Sequence, residues 1–187
     1  MYNVNCIIFN EAIFDILQGI TTISVLAVRK KITMTIDNCT QSDFHEILTD
    51  ISDFWGSDRT LSGHHPMFIH EFGDTAFVIK DNGKVIAYLF GFLSQTQKTG
   101  YVHLVGVRQS FQNKGLGTLL YEHFTNYVKN KGYTKLKAIT TATNQLSISF
   151  HKKIGMKLLG KKNENGIEVV KDYSAPGQDR VVFEKDL

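Results

Sequence analysis

The stretch "VRQSFQNKGLGTLLYEHF", residues 107–124, has the residue types and spacing best suited to chemistry. Gln112, Asn113 and Lys114 lead into Gly115-Leu116-Gly117 where a strand pattern gives way to a helix pattern. A strand running straight into a helix presents the unpaired N–H groups of the first helical turn at the carboxyl end of the sheet. Those donors, with the positive end of the helix dipole, form an anion site. Glycine within a helix costs roughly 1 kcal/mol relative to alanine. Here Gly115 and Gly117 leave the backbone bare enough for a pyrophosphate to approach closely. The spacing is neither the nucleotide P-loop nor the dinucleotide fingerprint G-x-G-x-x-G.

Histidines are the second chemical signal. In "TGYVHLVGVR" (99–108) strand alternation sets Tyr101, His103 and Val105 on one face. A neutral imidazole there can take a proton near pH 7; the rival reading is a core histidine bonded to a neighbouring strand. His64-His65 lacks further ligands at metal spacing and reads as loop, so no metal is expected.

These residues need a frame. "KITMTID" reads as a short strand, and Thr40 caps a helix with Asp43 three residues on. Phe44, Ile47, Leu48, Ile51 and Phe54 share one face of it. Pro66 opens a short helix over 66–72. "TAFVIK" and "VIAYLFGFL" flank "DNGK", a tight-hairpin signal. Residues 115–131 form a helix with Leu116, Leu119, Leu120, Phe124 and Val128 inward. "KLKAITTA" is a strand, 144–155 a helix closed by Gly155, and "RVVFEKDL" a last strand after the loop "DYSAPGQD". Strands followed by strand–helix–strand–helix–strand predict an α/β (α+β) fold with a mixed sheet.

The 187 residues, 42% hydrophobic and 21% charged, suffice for one domain with a core. A net charge of +3 with scattered Lys and Arg gives no reason to expect nucleic-acid binding. Cys6 and Cys39 fit neither a disulfide framework nor a metal site, and a reducing, cytoplasmic setting is expected. Residues 6–28 are apolar but interrupted by Asn10, Glu11, Asp15 and Gln18, so neither a signal peptide nor a membrane span is expected. The domain is expected over 34–187. Residues 1–33 are an extension of uncertain structure, either outside the fold or an extra helix packed on the domain or on a second copy in a homodimer.

Gln-x-x-Gly-x-Gly at 112–117 resembles the acyl-CoA-binding motif of the GNAT superfamily of N-acetyltransferases. "NQLSISFHKKIGM" resembles the family's second motif, N-x-x-[AS]-x-x-F-Y-x-K-x-G-F, with Asn144, Ser147, Phe150, Lys153 and Gly155 in place. The resemblance covers about 34–187. It implies a mostly antiparallel mixed sheet whose two central parallel strands splay apart, flanked by helices. It further implies an acyltransferase with acetyl-CoA as co-substrate and no metal.

The resemblance implies roles residue by residue. Gln112, Asn113, Lys114, Gly115, Leu116 and Gly117 would bind the pyrophosphate, with Asn144, Phe150 and Lys153 of the second motif beside the cofactor. Backbone groups at Val105, Gly106 and Val107 would hold the pantetheine arm and polarise the thioester. Gly106 either forms the bulge that bends its strand away or yields space to a packed side chain. The family's usual acid, a Tyr, is replaced by His151, read either as an imidazolium donor or as a residue lining the thiol channel. His103 is the first choice for the base, with His70, Glu71 and Asp74 behind it. Trp55, Glu71, Tyr173, Asp53 and Asp58 fall on the acceptor side; Trp55 is alternatively a core anchor, and 172–180 either a lid or a long hairpin loop. A small primary amine is the expected acceptor. A protein or peptide amine and a non-catalytic CoA-binding domain are the alternatives.

Overall fold

The computed structural model describes residues 34–187; the readings placed on residues 1–33 lie outside the described residues. Strand β1 (Ile36–Asn38) leads to helices α1 (Gln41–Thr49) and α2 (Ile51–Trp55). The Thr40/Asp43 pair forms a reciprocal capping box at the start of α1. A 3-10 turn at Leu61–Gly63 precedes α3 (Met67–His70), which follows Pro66 and is shorter than expected.

Strands β2 (Ala76–Asp81) and β3 (Lys84–Leu93) form the hairpin around Asn82-Gly83, both at positive φ. Strand β4 (Thr99–Val107), helix α4 (Leu116–Asn130), strand β5 (Lys135–Thr140) and helix α5 (Gln145–Lys153) follow. The chain closes with β6 (Lys157–Leu159), β7 (Lys161–Lys162), β8 (Glu168–Ala175) and β9 (Gln178–Asp186). The "DYSAPGQD" segment is therefore not a loop: its first half is strand β8, and the turn lies only at 176–177. Asp172, at φ 51°, accepts from the Gly177 amide and stiffens the tip.

The sheet runs β1-β2-β3-β4-β5-β9-β8-β7, with β6 on the second edge of β9. All pairings are antiparallel except β4 with β5. One core lies under α4 and α5, around Leu120, Phe124, Val128 and Phe183; the other lies under α1–α3, around Phe44, Phe68, Tyr88 and Phe90. No helix among the described residues is long and apolar enough to cross a membrane.

Candidate active site

The β4–β5 pairing covers only Thr99–Val102 against Lys135–Ala138. Beyond it β4 continues along β3, while β5 continues along β9 to Thr140. The two parallel strands thus part at His103. The cause is local: β4 shifts register against β3 so that Phe90 opposes Leu104 and Gly91 opposes Val102, leaving His103 as the extra residue of a bulge. The bulge expected at Gly106 sits three residues earlier.

Gly106 answers to the other reading. It pairs with Tyr88, and a Cβ on it would lie 2.5 Å from the Tyr88 ring. Alternation is also corrected. Val102, Val105 and Val107 pack on the α4 side, while Leu104 packs on the α1–α3 side. Tyr101 stacks on Phe92 and His103 on Phe68, ring centroids 4.9 and 4.7 Å apart, so Val105 faces away from them. A bulge reverses the side-chain phase, and nothing in the residue types announced it.

At the strand–helix turn, Gly115 caps α4 in the left-handed region at φ 82°, and Asn113 has φ 61°. No amide from Asn113 to Thr118 donates to a protein acceptor among the described residues, and Leu119 is the first to bond back, to Gly115. Gln112 donates to the Val107 carbonyl and ties the turn to the strand end, and Lys114 lies over the Phe111 ring. The two glycines have different tasks. Gly115 supplies the positive φ, whereas Gly117 keeps the first helical turn free of a side chain, in ordinary contact range of Phe150 at 3.4 Å.

The Asn144 side chain accepts from the Ser147 amide and caps α5. Phe150 packs edge-on against Tyr121 of α4. Lys153 is exposed and lines a groove of about 400 Å³ with Thr118, Glu122 and Lys185.

His151 differs from the expected imidazolium donor. Only 3% exposed, it stacks on Phe183 with centroids 4.2 Å apart. Nδ1–H donates to the Ser147 carbonyl at 2.7 Å, and Nε2 accepts from the Tyr121 hydroxyl at 2.6 Å. Burial pushes its pKa down to about 4, the carbonyl contact opposing only weakly, so the ring is neutral at pH 7. Both nitrogens are satisfied inside the core, and a charged donor there is corrected to a neutral one.

His103 is exposed on the α1–α3 side of the parting strands, with Nε2 3.1 Å from the Gly63 carbonyl. A carbonyl only accepts, so Nε2 carries the proton and Nδ1 holds a free lone pair. Burial of part of the ring lowers its pKa, and the Gly63 bond opposes this. Burial, and after it the charge of the Tyr173 phenolate, push the Tyr101 phenol up, with Arg180 opposing.

Other expected residues lie apart. Glu71 and Asp74 are exposed, and no hydrogen bond or ion pair joins them or His70 to His103 among the described residues. Trp55 is a core anchor, its indole donating to the Tyr88 hydroxyl at 2.6 Å. Asp53 binds Arg108 and is not free for an ammonium. His64, read as loop, is buried and bonded to Tyr88 and Thr60.

Arg108 was missed altogether. Its guanidinium, 3% exposed, reaches Glu46, Asp50 and Asp53 at 2.7–2.8 Å and lies over Phe54. It fastens α1 and α2 to the end of β4, next to the turn. The i, i+4 and i, i+7 acidic spacing from Glu46 was the available signal.

Residues 43–156 match the model of the acetyltransferase (GNAT) family. N-alpha-acetyltransferase 30 of Schizosaccharomyces pombe is 23% identical over 91 residues, 47% of this chain and 61% of that relative's length. The ribosomal-protein-S18-alanine N-acetyltransferase from Escherichia coli superimposes with TM-score 0.60 at 17% identity, covering 82% of this chain and 94% of that one. Naa20 of Chaetomium thermophilum, solved with a bisubstrate analogue, gives TM-score 0.61 at 18% identity, over 82% and 86% of the two chains.

Proposed function

Because the chain belongs to the GNAT acetyltransferase family, we propose that it moves the acetyl group of acetyl-CoA onto the primary amine of a small molecule. The observation that carries this reading is the slot itself: β4 leaves β5 after Val102, beside a run of unpaired amides at 113–118. The fit to CoA is chemical. Successive free N–H groups at a helix N-terminus suit a pyrophosphate, and Lys114 adds a cation at the rim. The unladdered edge of β4 from His103 to Val107 offers backbone groups to an amide-bearing arm. Bound there, acetyl-CoA supplies an acetyl thioester whose carbonyl carbon the amine attacks, the C–N bond forming as C–S breaks.

His103 supplies the base. Nδ1 takes a proton from the acceptor ammonium, and its lowered pKa keeps it unprotonated and ready at neutral pH. The acidic limb of kcat against pH accordingly lies below the ordinary histidine value. His151 holds α5 against Phe183 and Tyr121, and the sulfur takes its proton from the amine or solvent.

A peptide α-amine is the second reading, favoured by the N-alpha-acetyltransferase likenesses. Thiol release from acetyl-CoA over a panel of small amines and free-α-amine peptides separates the two. His103→Gln lowers kcat by roughly 10²-fold or more with CoA affinity unchanged. CoA binding without thiol release on any acceptor would overturn the enzyme reading.

A further inference from the structure

Beside His103 lies a largely buried chain of polar groups for which the transfer reaction has no use. The Trp55 indole N–H donates to the Tyr88 hydroxyl at 2.6 Å. Tyr88 is fully buried, and its hydroxyl lies 2.6 Å from His64 Nε2. His64 Nδ1 lies 2.8 Å from the Thr60 carbonyl. The direction of every bond follows from the ends. The Thr60 carbonyl only accepts, so the neutral His64 ring carries its proton on Nδ1 and donates it there. Nε2 is then an acceptor and takes the Tyr88 hydroxyl proton, while the phenol oxygen accepts from the indole.

That same Thr60 carbonyl accepts the Gly63 amide at 2.9 Å, and the His64 amide closes on Leu61 at 3.0 Å. The 3-10 turn is thus gripped by the side chain that follows it, and its Gly63 carbonyl points at His103 Nε2. On the far side, Tyr88 sits where it does only because residue 106 has no side chain.

We propose that the Trp55–Tyr88–His64 chain is a positioning device: it fixes the Gly63 carbonyl, which selects the Nε2–H tautomer of His103 and leaves Nδ1 as the base. His64 is a positioning residue and never touches the reactants. The inference rests on the reading of His103 as base. Selecting the tautomer matters because a histidine with its proton on the wrong nitrogen cannot accept one from the amine. Neutral His103 in water populates both tautomers; the turn removes one.

The test is ring-nitrogen NMR of the ¹⁵N-labelled full chain, at a pH where His103 is neutral. The wild type is expected to show the proton on Nε2 of His103 and on Nδ1 of His64. Tyr88→Phe keeps the ring and removes the donor; His64→Ala removes the clamp. Both are expected to give His103 a mixture of tautomers and to lower kcat by roughly 10-fold, the scale seen when a metal-ligating histidine loses its outer partner. The KM for acetyl-CoA stays unchanged. His64→Asn, whose amide can still donate to Thr60, is expected to recover most of the Nε2–H form. If His64→Ala does not fold, Tyr88→Phe and His64→Asn decide alone. A His103 that keeps Nε2–H in Tyr88→Phe and in every folded His64 variant, or that carries Nδ1–H in the wild type, overturns the proposal. Failure of the base reading looks different: His103→Gln then retains kcat, whatever the tautomer spectra show.

Discussion

Gly106→Ala puts the packing of the site to a quantitative test. The added Cβ would stand 2.5, 2.7 and 2.8 Å from Cε1, Cζ and the hydroxyl of Tyr88, where ordinary contact begins at 3.4 Å. The ring must retreat by about 1 Å. It has nowhere to go: Tyr88 is fully buried, edge-on to Phe54 at 5.1 Å and tilted against Phe90 at 4.9 Å. Overpacking of this kind costs about 1–3 kcal/mol. Displacing the hydroxyl also loosens its bonds to Trp55 and His64, at about 1 kcal/mol each. The sum, about 3–5 kcal/mol, corresponds to a fall in Tm of about 6–20 °C for a domain of this size. Thermal unfolding of Gly106→Ala, Tyr88→Ala and the double variant measures it. With the ring gone the extra methyl has room, so Gly106→Ala costs nearly nothing in the Tyr88→Ala background. A loss below about 2 °C in the wild-type background, or equal losses in both, would refute the argument.

Further outcomes follow from the turn and from His151. Gly117→Asp sets a carboxylate among the free amides and against Phe150, and calorimetry should show at least a ~10-fold loss of CoA affinity with the fold intact. His151 has its pKa lowered from 6.5 to about 4, so the unfolded chain binds the extra proton first. Its contribution is complete above pH 6.5 and is lost as pH falls towards 4, about 3 kcal/mol in all. Urea unfolding across that window should show the decline, and His151→Gln should make it shallower. His64, His103 and His123 are lowered in the same sense and keep some of the slope in that variant.

Much of this was legible in the residues, because local rules governed those parts. The capping box at Thr40, the Asn82-Gly83 hairpin and the helix from Leu116 are decided within a few residues, and each stands as read. The strand–helix turn was legible for the same reason. The bulge at His103 was not, since it depends on how β3 and β4 slide past each other. The burial of His64 and His151 was equally hidden. A histidine in a helix or loop looks alike whether it meets solvent or a tyrosine from another element, and both tyrosines come from distant segments. β8 escaped because polar "DYSA" carries no apolar alternation, its pairing being set by β9.

The parting of β4 from β5 has a mechanical consequence. The sheet is two plates, β1–β4 and β5–β9, welded over Thr99–Val102 and otherwise bridged by α4. Every strand rung beyond the weld is missing on that line, so a chain of amides lying in the gap serves as a borrowed strand. A co-substrate bound as proposed would become part of the scaffold that is to act on it. At 100-fold excess over Kd such a splint adds about 2.7 kcal/mol, or about 5–11 °C in Tm. Hydrogen exchange should slow along both lips, 103–107 and 139–140, and not only at the turn. Protection confined to 113–118 would mean that the plates stand without the splint. Otherwise each turnover ends by unfastening the joint, and the rigidity of the sheet rises and falls with the occupancy of its own slot.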